Sequence, residues 1–266
     1  MKTSFASYAR LLAVQLRTSL ALAMQYRLDF VLDAIVEVVW AFAAFVPLFV
    51  VYGQRDVVAG WTFAEALLVV ATFTLLQGVI EGAINPSLLG VVGGVRRGTL
   101  DFVLMRPKDA QFLVSTTRFS PWKSVNVLVA LGLYVYAFHA MGRTPAPAAI
   151  AAAALVVVAA VAILYSITIL TVSAAFYVVR IDNLTYLFSS VFDVARWPSS
   201  VFRGALRFFF TFVLPFALMT TYPAEALLGR LAGSVLLASL VGALAFTAFA
   251  RLVFQRALAH YTSASS

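Results

Sequence analysis

The strongest constraint on this chain is a series of long apolar runs separated by short charged loops. A helix needs ~20 mostly apolar residues to cross the hydrocarbon layer, and a crossing backbone must satisfy its hydrogen bonds internally. Runs of this kind are predicted at about 28–52, 61–84, 124–141, 148–179, 208–221 and 231–254. The expected fold class is therefore all-α: a polytopic membrane protein of six transmembrane helices. With 63% hydrophobic and 11% charged residues, little chain remains for a soluble domain. Residues 1–26 read as an N-terminal segment and 27–266 as one transmembrane domain.

Charge sets the expected orientation. Sixteen of the 19 Lys and Arg fall on one side of these spans, leaving only Arg55, Arg143 and Arg230 opposite. Because basic flanks are retained in the cytoplasm, both termini are expected there, in a multi-pass protein of the plasma (inner) membrane. The net charge of +8 is then a topology signal. Nucleic-acid binding would need a basic face on a folded soluble surface, and no segment supplies one. Arg10 and Arg17 interrupt what would be the apolar core of a signal peptide, so the start is expected to be retained. The absence of cysteine excludes disulfides and thiolate metal sites.

Between Thr3 and Met24, apolar Phe5, Tyr8, Leu12, Leu16 and Leu20 share one helical face, with Ser7, Arg10 and Arg17 on another. That spacing predicts an amphipathic helix lying in the membrane interface. The stretch from Asn85 to Trp122 is too polar to span and reads as a cytoplasmic loop, and 180–207 is placed on the same side. The fifth run is short and carries Pro215, with Pro223 and Glu225 close behind. Proline stops or kinks a helix, so a broken helix with a short re-entrant element between helices five and six is expected.

No catalytic or metal-binding constellation is predicted. A phosphate-binding loop needs glycine-rich backbone followed by Lys and Ser or Thr, and Lys2, Lys108 and Lys123 all lack that context. His139 and His260 are expected on opposite sides, and no paired-histidine zinc motif occurs. Asp29, Asp33 and Glu37 recur every four residues and form one stripe on the first span. Carboxylates at membrane depth cost several kcal/mol unless they meet protein, water or a proton. Two readings stand: a polar or proton-coupled path, or structural ion pairs with Arg27 and loop arginines. Glu65 and Glu81 on the second span are read the same way. On the last span Ser234, Ala238 and Gly242 recur every four residues, which permits close helix approach within or between subunits.

The loop reading Gly98, Thr99, Leu100, Asp101, Phe102, Val103, Leu104, Met105, Arg106, Pro107 resembles the loop after the second span in ABC-2 type permeases. Tyr26 to Phe30, Phe212 to Phe216, and Tyr222 to Ala224 with Leu227 to Gly229 agree in order and placement, in the manner of the six-helix branch of that family. The resemblance implies an interfacial N-terminal helix and a coupling helix in the first cytoplasmic loop. It also implies pairing with a second permease, identical or paralogous, and with two cytoplasmic ABC ATPase subunits. ATP and Mg would then sit on the ATPases, with no cofactor on this chain. Carried over, Arg96, Arg97, Gly98, Leu100, Asp101, Arg106 and Pro107 form the coupling region, with Arg96, Arg97, Arg106 and Lys108 placed to pair with acidic groups of the ATPase. The expected function is the permease subunit of an exporter. An ion-coupled secondary transporter or channel using the acidic stripe, and a structural membrane subunit, are the alternatives.

Overall fold

The computed structural model describes residues 5–25, 27–43, 45–96, 100–177, 190–210 and 215–260. Four helices among them are long and apolar enough to cross a membrane: Phe63–Gly94, Pro121–Ala140, Pro147–Ala174 and Gly233–Ala259.

The chain opens with α1 (Phe5–Gln25) and α2 (Arg27–Ala43). The expected first span, 28–52, is not one helix, because α2 ends at Ala43 and α3 (Val46–Tyr52) begins around Pro47. Pro47 has no N–H to continue the ladder, and its ring clashes with the carbonyl four residues back. A hairpin of Val57–Val58 paired with Trp61–Thr62 follows. Its two turn residues, Ala59 and Gly60, both have positive φ, 52° and 87°, as a two-residue type I′ connection requires.

Helix α4 (Phe63–Val79) starts from a capping box. Thr62 Oγ1 accepts from the Glu65 N–H, and the Glu65 carboxylate accepts from the Thr62 N–H. The sequence reading ends this span near Ile84. In the structure a π-helical turn at Ile80–Ile84 leads directly into α5 (Asn85–Arg96). Pro86 would ordinarily stop the helix, because it cannot donate to the Gly82 carbonyl. The Ser120 N–H donates to that carbonyl instead, at 2.8 Å. Ser87 strengthens the seam: its Oγ donates to the Arg118 carbonyl at 2.6 Å and accepts from the Arg118 N–H at 2.9 Å. The expected loop is therefore a helical hairpin, in which α6 (Asp101–Leu104) forms the tip and α7 (Ala110–Thr116) returns, burying Gln111, Leu113 and Val114.

Helix α8 (Ser124–Ala140) packs along α4, and α9 (Pro147–Ala174) packs on α4 and on the last helix. Of the four spanning helices, Phe63–Gly94 has 72% of its most apolar window buried, against 17–39% for the others, so it is the centre of the bundle. Close approach to α8 depends on Gly78 and Gly82. A Cβ on Gly78 would lie 3.0 Å from Asn126 Cβ, and one on Gly82 would lie 3.3 Å from Lys123 Cβ. By contrast, nothing lies within 4 Å of a Cβ at Gly242, and Ser234 and Ala238 are exposed, so that stripe packs against no helix among the described residues.

The 180–207 segment does not lie wholly on the side of the 85–122 hairpin. Phe192 stacks on Phe73 at 5.2 Å, and the Arg196 guanidinium covers the same ring at 5.3 Å. Ser200 then accepts from the Trp61 indole at 3.1 Å and donates to the Ala59 carbonyl at 3.3 Å. The stretch thus rises along α4 by roughly 15–18 Å, to the end that carries the β-hairpin. Its polar groups are tolerated because an aromatic face receives the cation and hairpin groups receive the hydroxyl.

A short helix, α10 (Gly204–Phe208), precedes the π-helical turn Ala217–Thr221, which leads into α11 (Tyr222–Leu227) with Pro223 in its first turn. The proposed fifth span, 208–221, includes residues outside those described. Helix α12 (Gly233–Ala259) closes the chain against α9, where Ser166 Oγ donates to Thr247 Oγ1 at 3.1 Å.

Candidate functional site

Three distant parts of the sequence meet at Lys108 and Asp109. Asp109 is the N-cap of α7, and its Oδ1 accepts from the Phe112 N–H at 3.0 Å. Its Oδ2 accepts from the Arg251 guanidinium of α12 at 2.9 Å. Its own N–H donates to the Tyr8 hydroxyl of α1 at 3.3 Å. Lys108 donates to Ser7 Oγ at 2.6 Å and stands 4.7 Å above the Tyr8 ring, which packs edge-on against Phe112 at 4.8 Å. Further along α1, Ser19 Oγ accepts from the Phe119 N–H at 3.1 Å. Ser7, Tyr8 and Ser19 thus bond α1 along the hairpin, while Phe5, Leu16 and Leu20, and also Arg10 and Arg17, stay exposed.

Above this junction the hairpin tip is anchored and its outer face is bare. Leu100 is buried in the cluster that includes Leu88, Val91 and Val114, with Val103 packed against it. Phe102 and Met105 are 66% and 71% exposed, next to exposed Arg106 and Pro107. Deeper in, the Tyr165 hydroxyl of α9 shares a bond with Ser115 Oγ at 2.8 Å and accepts from Gln111 Nε2 at 3.0 Å, tying α7 to the core.

The sequence-derived candidates separate into groups. Leu100, Asp101, Arg106 and Pro107 form the tip, with Asp101 opening α6. Arg97 and Gly98 lie outside the described residues, as does the Arg96 side chain. Asp29, Asp33 and Glu37 lie on α2, with side chains outside the described set. Glu81 pairs with Lys123 at 2.5 Å, across the contact between the π turn and α8. Glu65 is buried at the opposite end, bonded to Arg230 and with Arg143 at 3.8 Å. Pro223 is buried and Pro215 is partly exposed, while the Glu225 carbonyl accepts from the Arg230 N–H at 2.8 Å. Lys108, expected to face a partner, is instead committed to Ser7 and Tyr8 within the chain. Sequence reasoning missed Tyr8, Asp109 and Arg251 as a unit. Asp109 alone left a signal, an N-cap residue just before an apolar helical run.

One family model, described as ABC-2 family transporter protein, matches residues 38–265. The chain belongs to the ABC-2 transporter family. No curated protein and no solved structure matches it. As an ABC-2 permease it is a multi-pass membrane component of an ABC transporter, in a family that works with ABC ATPase subunits. The family match takes in the hairpin, α9 and α12, and leaves α1 outside it.

Proposed function

We propose that this ABC-2 permease is an exporter subunit in which the 91–110 region receives the motion of two cytoplasmic ATPases. The carrying observation is the hairpin tip, where two large apolar side chains, Phe102 and Met105, are exposed beside Arg106 on an element whose base is buried. Exposed apolar residues ringed by polar ones mark a protein contact when they stand outside the membrane. A push on the tip would reach α1 through Lys108 and Tyr8, α12 through Asp109 and Arg251, and α9 through Tyr165. The chain has no nucleotide-binding motif of its own, so ATP and Mg belong to the partner. A second permease, identical or paralogous, completes the path, with six crossings in each and both termini on the ATPase side.

The absence of native cysteine makes the contact directly testable. Phe102→Cys, co-expressed with an ATPase and treated with a thiol-to-amine cross-linker, is expected to give a permease–ATPase adduct, and Val57→Cys in the hairpin at the opposite end is not. Equal labelling from both positions, or labelling from Val57→Cys alone, contradicts the assignment.

A further inference from the structure

Helices α8 and α9 are joined by the short loop 141–146, yet each packs on α4 and they do not pack along one another. The space between them is a cavity of about 1010 Å³. Its walls come from α4, α8, α9 and α11, and Leu131, Val135, Ile150 and Val158 line it while remaining exposed on the outside of the bundle. The cavity therefore opens sideways, onto the surface that meets lipid. Water is poorly held by apolar walls. Hydrocarbon satisfies such walls.

One end of the cavity is different. His139, Arg143 and Thr144 line it at the α8–α9 loop. Arg143 approaches Glu65 only at 3.8 Å, and that carboxylate is already bonded by Arg230. The closest other acceptor of Arg143 is the Met141 sulfur at 3.5 Å, a weak one. An apolar slot with a cation at its membrane-surface end matches one occupant. We propose that the cavity is a lateral site for an anionic phospholipid, with its acyl chain between α8 and α9 and its phosphate on Arg143.

The test uses the full chain, delipidated in detergent and titrated with phosphatidylglycerol or phosphatidylcholine, with bound lipids counted by native mass spectrometry. The wild type is expected to favour phosphatidylglycerol at least fivefold. Arg143→Gln should bring that ratio close to one while phosphatidylcholine binding persists. Ala154→Trp, which fills the slot from an exposed wall position, should lower binding of both lipids at least fivefold with the melting temperature unchanged. Any one of three results overturns the proposal: no preference in the wild type, a preference that survives Arg143→Gln, or undiminished binding by Ala154→Trp. A shift of Ala154→Trp from dimer to monomer with lipid binding intact also overturns it, and assigns the slot to a second copy of the chain.

Discussion

Asp109 and Arg251 are 142 positions apart in the chain and 2.9 Å apart in space, and the same carboxylate caps α7. The last helix is thereby fastened to the start of the returning arm of the hairpin. Because Tyr8 accepts from the Asp109 N–H, the first helix is fastened at the same point.

The pair is half exposed on the arginine side, so its contribution to stability is small, about 0–1 kcal/mol. Its proposed contribution is to transmission. Arg251→Gln leaves the Asp109 cap intact and is expected to shift the melting temperature by no more than a few degrees. ATP-driven transport in proteoliposomes should fall severalfold while the complex with the ATPase still assembles.

Gly78 and Gly82 differ in how much they can give. A methyl group on Gly78 meets Asn126 Cβ at 3.0 Å and the Lys123 carbonyl at 3.2 Å, whereas one on Gly82 meets its nearest neighbour at 3.3 Å. Gly78→Ala is expected to cost about 1–3 kcal/mol, as overpacking does. Gly82→Ala should cost clearly less, with the order read from thermal unfolding in detergent.

Ser87 is buried and makes both of its bonds to the backbone of Arg118. Ser87→Ala leaves a carbonyl and an N–H without that partner and should destabilise by about 1–3 kcal/mol. Hydrogen exchange is expected to accelerate at residues 117–120 first, because the Ser120 bond to Gly82 belongs to the same seam.

At the other end of the bundle, Glu65 is the shared member of its cluster. Glu65→Gln removes the charge that two guanidiniums face and weakens the capping box, and is expected to cost about 1–3 kcal/mol, reduced from a fully buried pair by the half-exposed arginines. Arg143→Gln, at 3.8 Å from the carboxylate, should be close to neutral in the same unfolding measurement.

The length of the apolar runs made part of the bundle legible. Apolar runs of spanning length identify α8, α9 and α12 because composition alone decides whether a segment can sit in hydrocarbon. The same logic failed where a local breaker was answered by a distant partner. The polar stretch from Asn85 reads as a loop, and the Ser120 N–H that lets the helix continue past Pro86 is 34 positions from that proline. Arg196 reads as a cytoplasmic charge, and the ring that receives it, Phe73, lies on another element. At the proposed site, the tip from Leu100 to Pro107 was visible as a motif. The junction beneath it was not, since Tyr8, Asp109 and Arg251 carry no pattern until the fold brings them together. The Thr62-to-Glu65 capping box was readable as a sequence signature, and it accounts for Glu65 better than membrane depth does.

Coupling through the hairpin tip is decided by ATP hydrolysis and transport measured on one preparation. The permease carrying Asp101→Ala, Phe102→Ala and Arg106→Ala is co-purified with its ATPase and reconstituted. Transmission through the tip predicts that basal ATPase activity is retained, while transport and its stimulation of hydrolysis drop at least tenfold, or that the complex no longer forms. Full assembly with wild-type transport and wild-type stimulation would contradict it.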